Sequence, residues 1–270
     1  MVNDKRSILI EPEQLSACLD EKDVLVIAVC IKKTFDEGHI PGSVLIEPSK
    51  LIKGEKPAIG KLPRIEELET LFSSIGLTKN HHIIAYDDEG GGWAGRLIWT
   101  LDVLGHSNYA LLNGGIIAWR NEGFCVSVET VVPKVSKFEA EFKRDVIADM
   151  GDVLNSINDD HTKVWDARAP EEYDGSKITA LKNGHVPGAI NLDWVYMMDA
   201  SNNLKIRNLG EIRAQLHQLG ITSQVKVITH CQTHHRSGLT YFVGKLLGLE
   251  IKAYDGSWSE WGNHPETPVE

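Results

Sequence analysis

Short apolar runs alternate along the chain with stretches whose apolar residues recur every three or four positions. Val24–Val29, His82–Tyr86 and Tyr109–Leu112 in the first half have the apolar, partly β-branched make-up of buried strands. Lys163–Asp166, Val225–Thr229 and Ile251–Tyr254 match them in the second half. Helical spacing marks Glu11–Leu19, Ile65–Ile75 and Ala94–Leu104, and then Ala148–Ile157, Glu211–Leu219 and Ser237–Leu247. Strands alternating with helices predict an α/β fold in which mostly parallel sheets are flanked by helices on both faces.

The same pattern occurs twice. Gly38-His39-Ile40-Pro41-Gly42 returns as Gly184-His185-Val186-Pro187-Gly188, an offset of 146. Ile75-Gly76-Leu77-Thr78 returns as Leu219-Gly220-Ile221-Thr222, offset 144, and Leu104-Gly105 as Leu247-Gly248, offset 143. Asn113-Gly114 with Trp119 is echoed by Asp255-Gly256-Ser257-Trp258. Matches in one order at a nearly constant offset indicate a tandem duplication. The expected division is a first domain over 1–132, a linker over 133–142 and a second domain over 143–270. Asp166-Ala167-Arg168 aligns with Ala28-Val29-Cys30 at offset 138, so the second half carries an eight-residue insertion around Tyr173–Leu181.

Composition narrows the class of partner. The chain has 270 residues, is 42% hydrophobic and 24% charged, and carries a net charge of −10. That charge disfavours nucleic acid or an anionic membrane as the main partner. No apolar run reaches the ~20 residues of a bilayer span. Met1–Ile10, with Asp4, Lys5 and Arg6, lacks a secretory core, and a cytoplasmic location is expected. Cys18, Cys30, Cys125 and Cys231 are far apart, which argues against a disulfide scaffold or a structural zinc site.

The chemistry concentrates after Val225–Thr229, in His230-Cys231-Gln232-Thr233-His234-His235-Arg236-Ser237. A cysteine between a strand's C-terminal end and a helix's N-terminus meets unpaired N–H groups and the positive end of a helix dipole, and both favour thiolate. Ligands of parallel sheets also bind at this end of the strands. Four residues separate Cys231 from Arg236, so closing the loop turns successive N–H groups inward around the sulfur, and Arg236 can clamp an anion. Phosphatases built on Cys and Arg use five intervening residues. The tighter ring favours a thiolate that becomes a persulfide, with no metal or cofactor required. An arsenate reductase or phosphatase is the nearest chemical rival.

The corresponding first-half loop, Asp87-Asp88-Glu89-Gly90-Gly91-Gly92, has carboxylates where the thiol should be. Those charges should repel anions, and the first half is read as structural scaffold. No lysine follows the glycines in P-loop spacing. Asp166 and Arg168 read equally as a strand-end salt bridge or as site residues, and Trp194 equally as a pocket wall or as core. Lys177 and Lys182, in or beside the insertion, are brought near the site. His39 and His185 occur in both halves and are read as structural. Trp119, Trp258 and Trp261 are read as packing.

The duplication, the Gly-His-x-Pro-Gly turns, the six-residue cysteine loop in the second half only and the Asp255-Gly256-Ser257-Trp258 segment together resemble the tandem rhodanese sulfurtransferases. The loop Cys231-Gln232-Thr233-His234-His235-Arg236 is similar to that of certain bacterial thiosulfate sulfurtransferases, and the likeness continues through Trp261-Gly262-Asn263-His264-Pro265. The resemblance implies a Cys231 persulfide stabilised by the loop amides, with thiosulfate as donor and cyanide or a thiol as acceptor. Gln232, Thr233, His234, His235, Arg236 and Ser237 then bind substrate, joined by Asp166, Arg168, Trp194 and Lys182. The loop lacks the lysine two positions past the cysteine that vertebrate-type enzymes carry, and also the small neutral residues of mercaptopyruvate enzymes. Its basic character suits the thiosulfate dianion. A 3-mercaptopyruvate enzyme, or a module carrying persulfide to a protein acceptor, are the alternatives.

Overall fold

A computed structural model of the chain describes residues 7–270. The reading of the N-terminus as non-secretory rests partly on residues 1–6, which lie outside the described residues. In the first half β1 (Leu9–Ile10), α1 (Pro12–Cys18), β2 (Val24–Val29), α2 (Lys32–Asp36) and β3 (Val44–Ile46) come first. They are followed by α3 (Ile65–Ser74), β4 (His82–Tyr86), α4 (Gly92–Val103), β5 (Tyr109–Leu112) and α5 (Gly115–Asn121). The second half opens with β6 (Ile147–Ala148), α6 (Met150–Ser156), β7 (Thr162–Asp166), α7 (Pro170–Tyr173) and β8 (Ile190–Asn191). A hairpin of β9 (Met198–Asp199) and β10 (Lys205–Ile206) leads to α8 (Leu209–Gln218), β11 (Lys226–His230), α9 (Arg236–Leu246), β12 (Glu250–Tyr254) and α10 (Ser257–Trp261).

Each half forms a five-stranded sheet, ordered β1-β5-β4-β2-β3 and β6-β12-β11-β7-β8, and every pairing within them is parallel. The two orders are the same, as a duplication requires. Elements of ten or more residues follow the expected periods to within one or two positions. The edge strands β1, β3, β6 and β8 and the short helices α2, α5, α7 and α10 are too brief to show a period. Strand β11 continues one residue past Thr229 because His230 still pairs with Asp166 of β7. That pairing leaves Cys231 as the first residue beyond the sheet.

Helices α4 and α9 pack together between the two sheets. Trp99 and Val103 of α4 join the second half's core beside Trp165 and Leu239, and Phe242 of α9 joins the first half's core. The close approach needs glycine on both sides: a Cβ on Gly95 would collide with the Gly238 backbone, and one on Gly238 with the Gly92 and Arg96 backbone. Asp102 of α4 seals the same interface. It accepts from Tyr109 and Tyr241 at 2.9 and 2.8 Å, and pairs with Lys245 of α9.

The segment joining the halves runs over the first one: Ser136 N donates to Ser73 O at 3.0 Å, and Phe138 enters the first core. The β9–β10 hairpin also crosses over. Ile206 N donates to Asn113 Oδ1 at 2.7 Å, and Lys205 pairs with Glu11 and Glu122. Among the described residues no helix is long and apolar enough to cross a membrane.

Candidate active site

Cys231 leaves β11 at the carboxyl end of the second sheet and lies almost fully buried at the base of its loop. The C-terminal segment holds its backbone in place. Trp258 N donates to Cys231 O at 2.9 Å, and Cys231 N donates to Ser257 Oγ at 3.4 Å. Gly60 of the first half crosses the loop so closely that a Cβ there would collide with the Thr233 carbonyl oxygen. His234 takes φ +57°, a left-handed conformation that costs a non-glycine residue about 1–2 kcal/mol. The inversion turns neighbouring N–H groups to one side, as in an anion nest.

The sister loop has glycine in that place, Gly90 at φ +96°, and a second left-handed glycine follows, Gly91 at +106°, where His235 stands at −92°. Equal registers of β4 and β11 put Asp87 opposite Cys231, settling which of the two carboxylates replaces the thiol. Asp87 is buried, and its Oδ1 accepts from Glu89 N, Gly90 N and Gly91 N at 2.9–3.1 Å. Its Oδ2 accepts from Ala94 N at 3.0 Å. Instead of leaving an empty repellent loop, the first half fills its own nest with a carboxylate. Met198 and Leu204 of the second half then press against Gly90.

The two buried thiols respond oppositely to their surroundings. Burial pushes Cys30, the counterpart of Arg168, up to about 12, with the charges of Asp88 and Asp87 adding to the effect. Burial is also the largest influence on Cys231 and acts upward. The Arg236 charge, the Ser237 hydroxyl and N–H, and the His235 charge together outweigh it, and the thiol lies below its ordinary value. The surroundings of Cys231 therefore favour the thiolate, whereas those of Cys30 oppose it.

Ser237 is part of a relay. His234 Nδ1 lies 2.8 Å from Ser237 Oγ, and the Ser237 hydroxyl is among the influences that lower the thiol. A donating hydroxyl must accept from His234, which fixes the proton on Nδ1 and leaves Nε2 as the buried, unpartnered nitrogen. In Ser237→Ala the thiolate loses a donor, and its titration midpoint should rise by about one pH unit. The pH dependence of iodoacetamide alkylation measures this directly.

The remaining predicted residues divide. His235 faces the first half, with Nε2 bonded to Glu89 Oε1 and its ring stacked on Trp93 at 4.5 Å; Trp194 stands 5.6 Å away. Trp194 is thus both a wall beside the loop and a partner of the second core. Arg236 is held by both oxygens of Glu172, so its fork is engaged by the protein and acts on the sulfur through its charge. Gln232 is held by Thr179 of the insertion, at 2.9 and 3.1 Å. His234 is fully buried, edge-on to Trp99 at 4.5 Å, and burial drives it well below the usual histidine range. It is a neutral internal residue and supplies no positive charge to substrate.

One expectation is corrected outright, and one that stood open between two readings is resolved. Lys182 turns away from the loop: its Nζ donates to the carbonyls of His264, Pro265 and Thr267, tying down the C-terminal segment. Asp166 and Arg168 are wholly buried beneath the loop as a salt bridge, with Arg168 also donating to Glu172 O and Gly184 O and lying 4.2 Å over Trp258. All three nitrogens of that guanidinium are engaged by the protein. Burial holds His230 below the ordinary histidine value, against the opposing charge of Asp166, whose Oδ2 lies 3.7 Å away. His230, His234 and His235 thus address different partners and do not converge on one point. His39 and His185 each bond the carbonyl of a stacked aromatic residue, Phe35 and Tyr173, and anchor the two Pro-Gly turns.

Sequence reasoning missed Glu172, Thr179 and the site role of Glu89. For Glu172 a signal existed. Pro170 at the first helical position with Glu172 two residues on is a helix-start pattern, and Glu172 Oε2 indeed accepts from Ala169 N at 3.2 Å.

Comparison with known proteins identifies the family of the chain. The rhodanese-like domain family matches residues 11–122 and 149–264, and the chain belongs to that family. A thiosulfate sulfurtransferase of Azotobacter vinelandii is 44% identical over 264 residues, 97% of either chain. A sulfur carrier protein of Thermus thermophilus is 30% identical over 277 residues, covering 97% of this chain and 96% of that one. The anaerobic ergothioneine biosynthesis enzyme of Chlorobium limicola has the same fold, with a TM-score of 0.89 at 22% identity over 99% of this chain and 71% of that one.

Proposed function

From membership of the rhodanese-like family, we propose that this protein is a thiosulfate sulfurtransferase working through a persulfide on Cys231. The thiolate attacks the outer sulfur of thiosulfate; an S–S bond forms to Cys231, and sulfite leaves with the electron pair of the broken bond. An acceptor such as cyanide then attacks the outer persulfide sulfur, and Cys231 departs as thiolate. Electrons balance with no metal, redox cofactor or external oxidant.

The observation that carries this reading is the carboxylate of the sister nest. An aspartate places its oxygens one bond beyond the atom attached to Cβ, as a persulfide places its outer sulfur one bond beyond Sγ. Asp87 accepts three loop N–H groups at that position. A persulfide on Cys231 would meet the equivalent loop amides, so the nest favours the charged intermediate over the free thiol. Four free cysteines fit a reducing compartment such as the cytoplasm.

Treatment with thiosulfate should add about 32 Da, one sulfur atom, to the intact protein at Cys231, and cyanide should remove it. No adduct from thiosulfate or 3-mercaptopyruvate would overturn the reading. An adduct from 3-mercaptopyruvate alone would reassign the donor.

A further inference from the structure

Among the described residues, the first half contributes one side chain that bonds directly to the active loop, and the sulfur-transfer chemistry leaves it unexplained. Glu89 belongs to the sister loop, on the domain without a nucleophile. Its Oε1 nevertheless bonds Nε2 of His235, a residue 146 positions away in the cysteine loop. The imidazole has no freedom to turn aside. Trp93 stacks on one face at 4.5 Å and Trp194 closes in at 5.6 Å, while a Cβ on Gly92 would lie 2.8 Å from Nε2. We propose that Glu89 is a positioning residue for Cys231: it holds His235 as an oriented imidazolium, so the nucleophile-free domain supplies the anchor for a cation that the catalytic loop uses.

The charges around His235 support this. Glu89 and Asp87 face it from the sister loop, and Cys231 and His234 from its own, with Arg236 next in sequence. The turn carrying Trp194 adds Asp193, whose charge acts on Arg236. Arg96 of α4 acts on His234. Burial is the largest influence on His235 and opposes protonation, but Glu89, Cys231 and Asp87 together reverse it. Of the Glu89–His235 pair, His235 is the member among the main influences on the thiol, which it lowers.

The sign of the pH dependence follows. Cys231 is a thiolate above its lowered midpoint and loses that state as pH falls through it. His235 is a cation below its raised midpoint and loses that state as pH rises through it. The pH at which the loop holds both charges is bounded below by the first midpoint and above by the second. Weakening Glu89 moves the thiol limb up and the imidazolium limb down, which narrows the working window from both sides.

The turnover consequence rests on the proposed sulfurtransferase activity, whereas the charge assignment is testable without any sulfur donor. Cys231 alkylation is followed against pH with neutral iodoacetamide and anionic iodoacetate, in the native protein, Glu89→Gln, Glu89→Asp and His235→Asn. Glu89→Gln is isosteric, and its fold is checked by circular dichroism. It should raise the thiol midpoint by about half a pH unit or more and lower the iodoacetate-to-iodoacetamide rate ratio several-fold. His235→Asn should shift both quantities the same way, and Glu89→Asp should restore part of each. Normal midpoint and selectivity in Glu89→Gln overturn the assignment, whether or not His235→Asn shifts them. So does a downward shift, which would mean that Glu89 acts mainly by repelling the thiolate.

Discussion

Cys231→Ala protein is expected to fold normally and to transfer no sulfur from thiosulfate to cyanide, with a loss of at least about 1,000-fold, the scale on which removing an attacking group acts. The loss is total in kind because the reaction passes through a bond to that sulfur. The fold should survive because alanine fits where the thiol sat and the loop backbone keeps its bonds to Ser257 and Trp258. Cys30→Ala provides the contrast. That thiol is also buried but pushed up to about 12, so its loss should leave the rate within about twofold while costing some packing energy. Thiocyanate formation measures both variants. A Cys231→Ala rate within tenfold of the native one would remove the nucleophile from the mechanism.

Arg168→Met should produce the largest loss of stability, about 3–5 kcal/mol. The substitution strands Asp166, a carboxylate with no exposed surface, and takes away the donors that Glu172 O and Gly184 O accept. Burial acts to raise Asp166, but His230 and Arg168 hold it below the ordinary carboxylate range. Its stabilisation is therefore complete above the ordinary aspartate pKa and is lost as pH falls through the lowered folded value. Removing the guanidinium moves that loss to higher pH. Thermal unfolding should show a midpoint lower by about 10 °C at neutral pH, with the difference between variant and native protein shrinking in acid. An unfolding midpoint within 2 °C of native would mean that Asp166 finds another partner.

These two residues illustrate what could be read before the fold was known. Cys231 was legible because everything that marks it is local: a strand-like run, a cysteine at its end, a basic turn and a helix. Arg168 was ambiguous because a charged residue beside a strand end looks the same in sequence whether it points into solvent, into a pocket or beneath the sheet. Its complete burial and its stack on Trp258, 90 positions away, decide the matter. Lys182 failed for the same reason. The insertion does lie beside the loop, through Thr179 and Gln232, but the lysine leaves it on the opposite side.

The duplication worked both for and against the reading. It marked the first half as lacking a nucleophile and suggested a bare scaffold. The fold instead places Glu89 against His235 and Gly60 against Thr233, so the first half forms part of the active loop's surroundings.

The sequence by itself determined the tandem α/β plan, and it singled out Cys231 and the short loop around it as the candidate site. Each depends on periodicity, turn chemistry or a strand-to-helix junction, interactions that act over a few neighbouring residues. Only the tertiary structure decided which charges the sulfur feels. Glu172 engages Arg236 across 64 positions and Glu89 engages His235 across 146. Electrostatic effects depend on distance through space and on burial, and those two quantities exist only once the two halves have packed together.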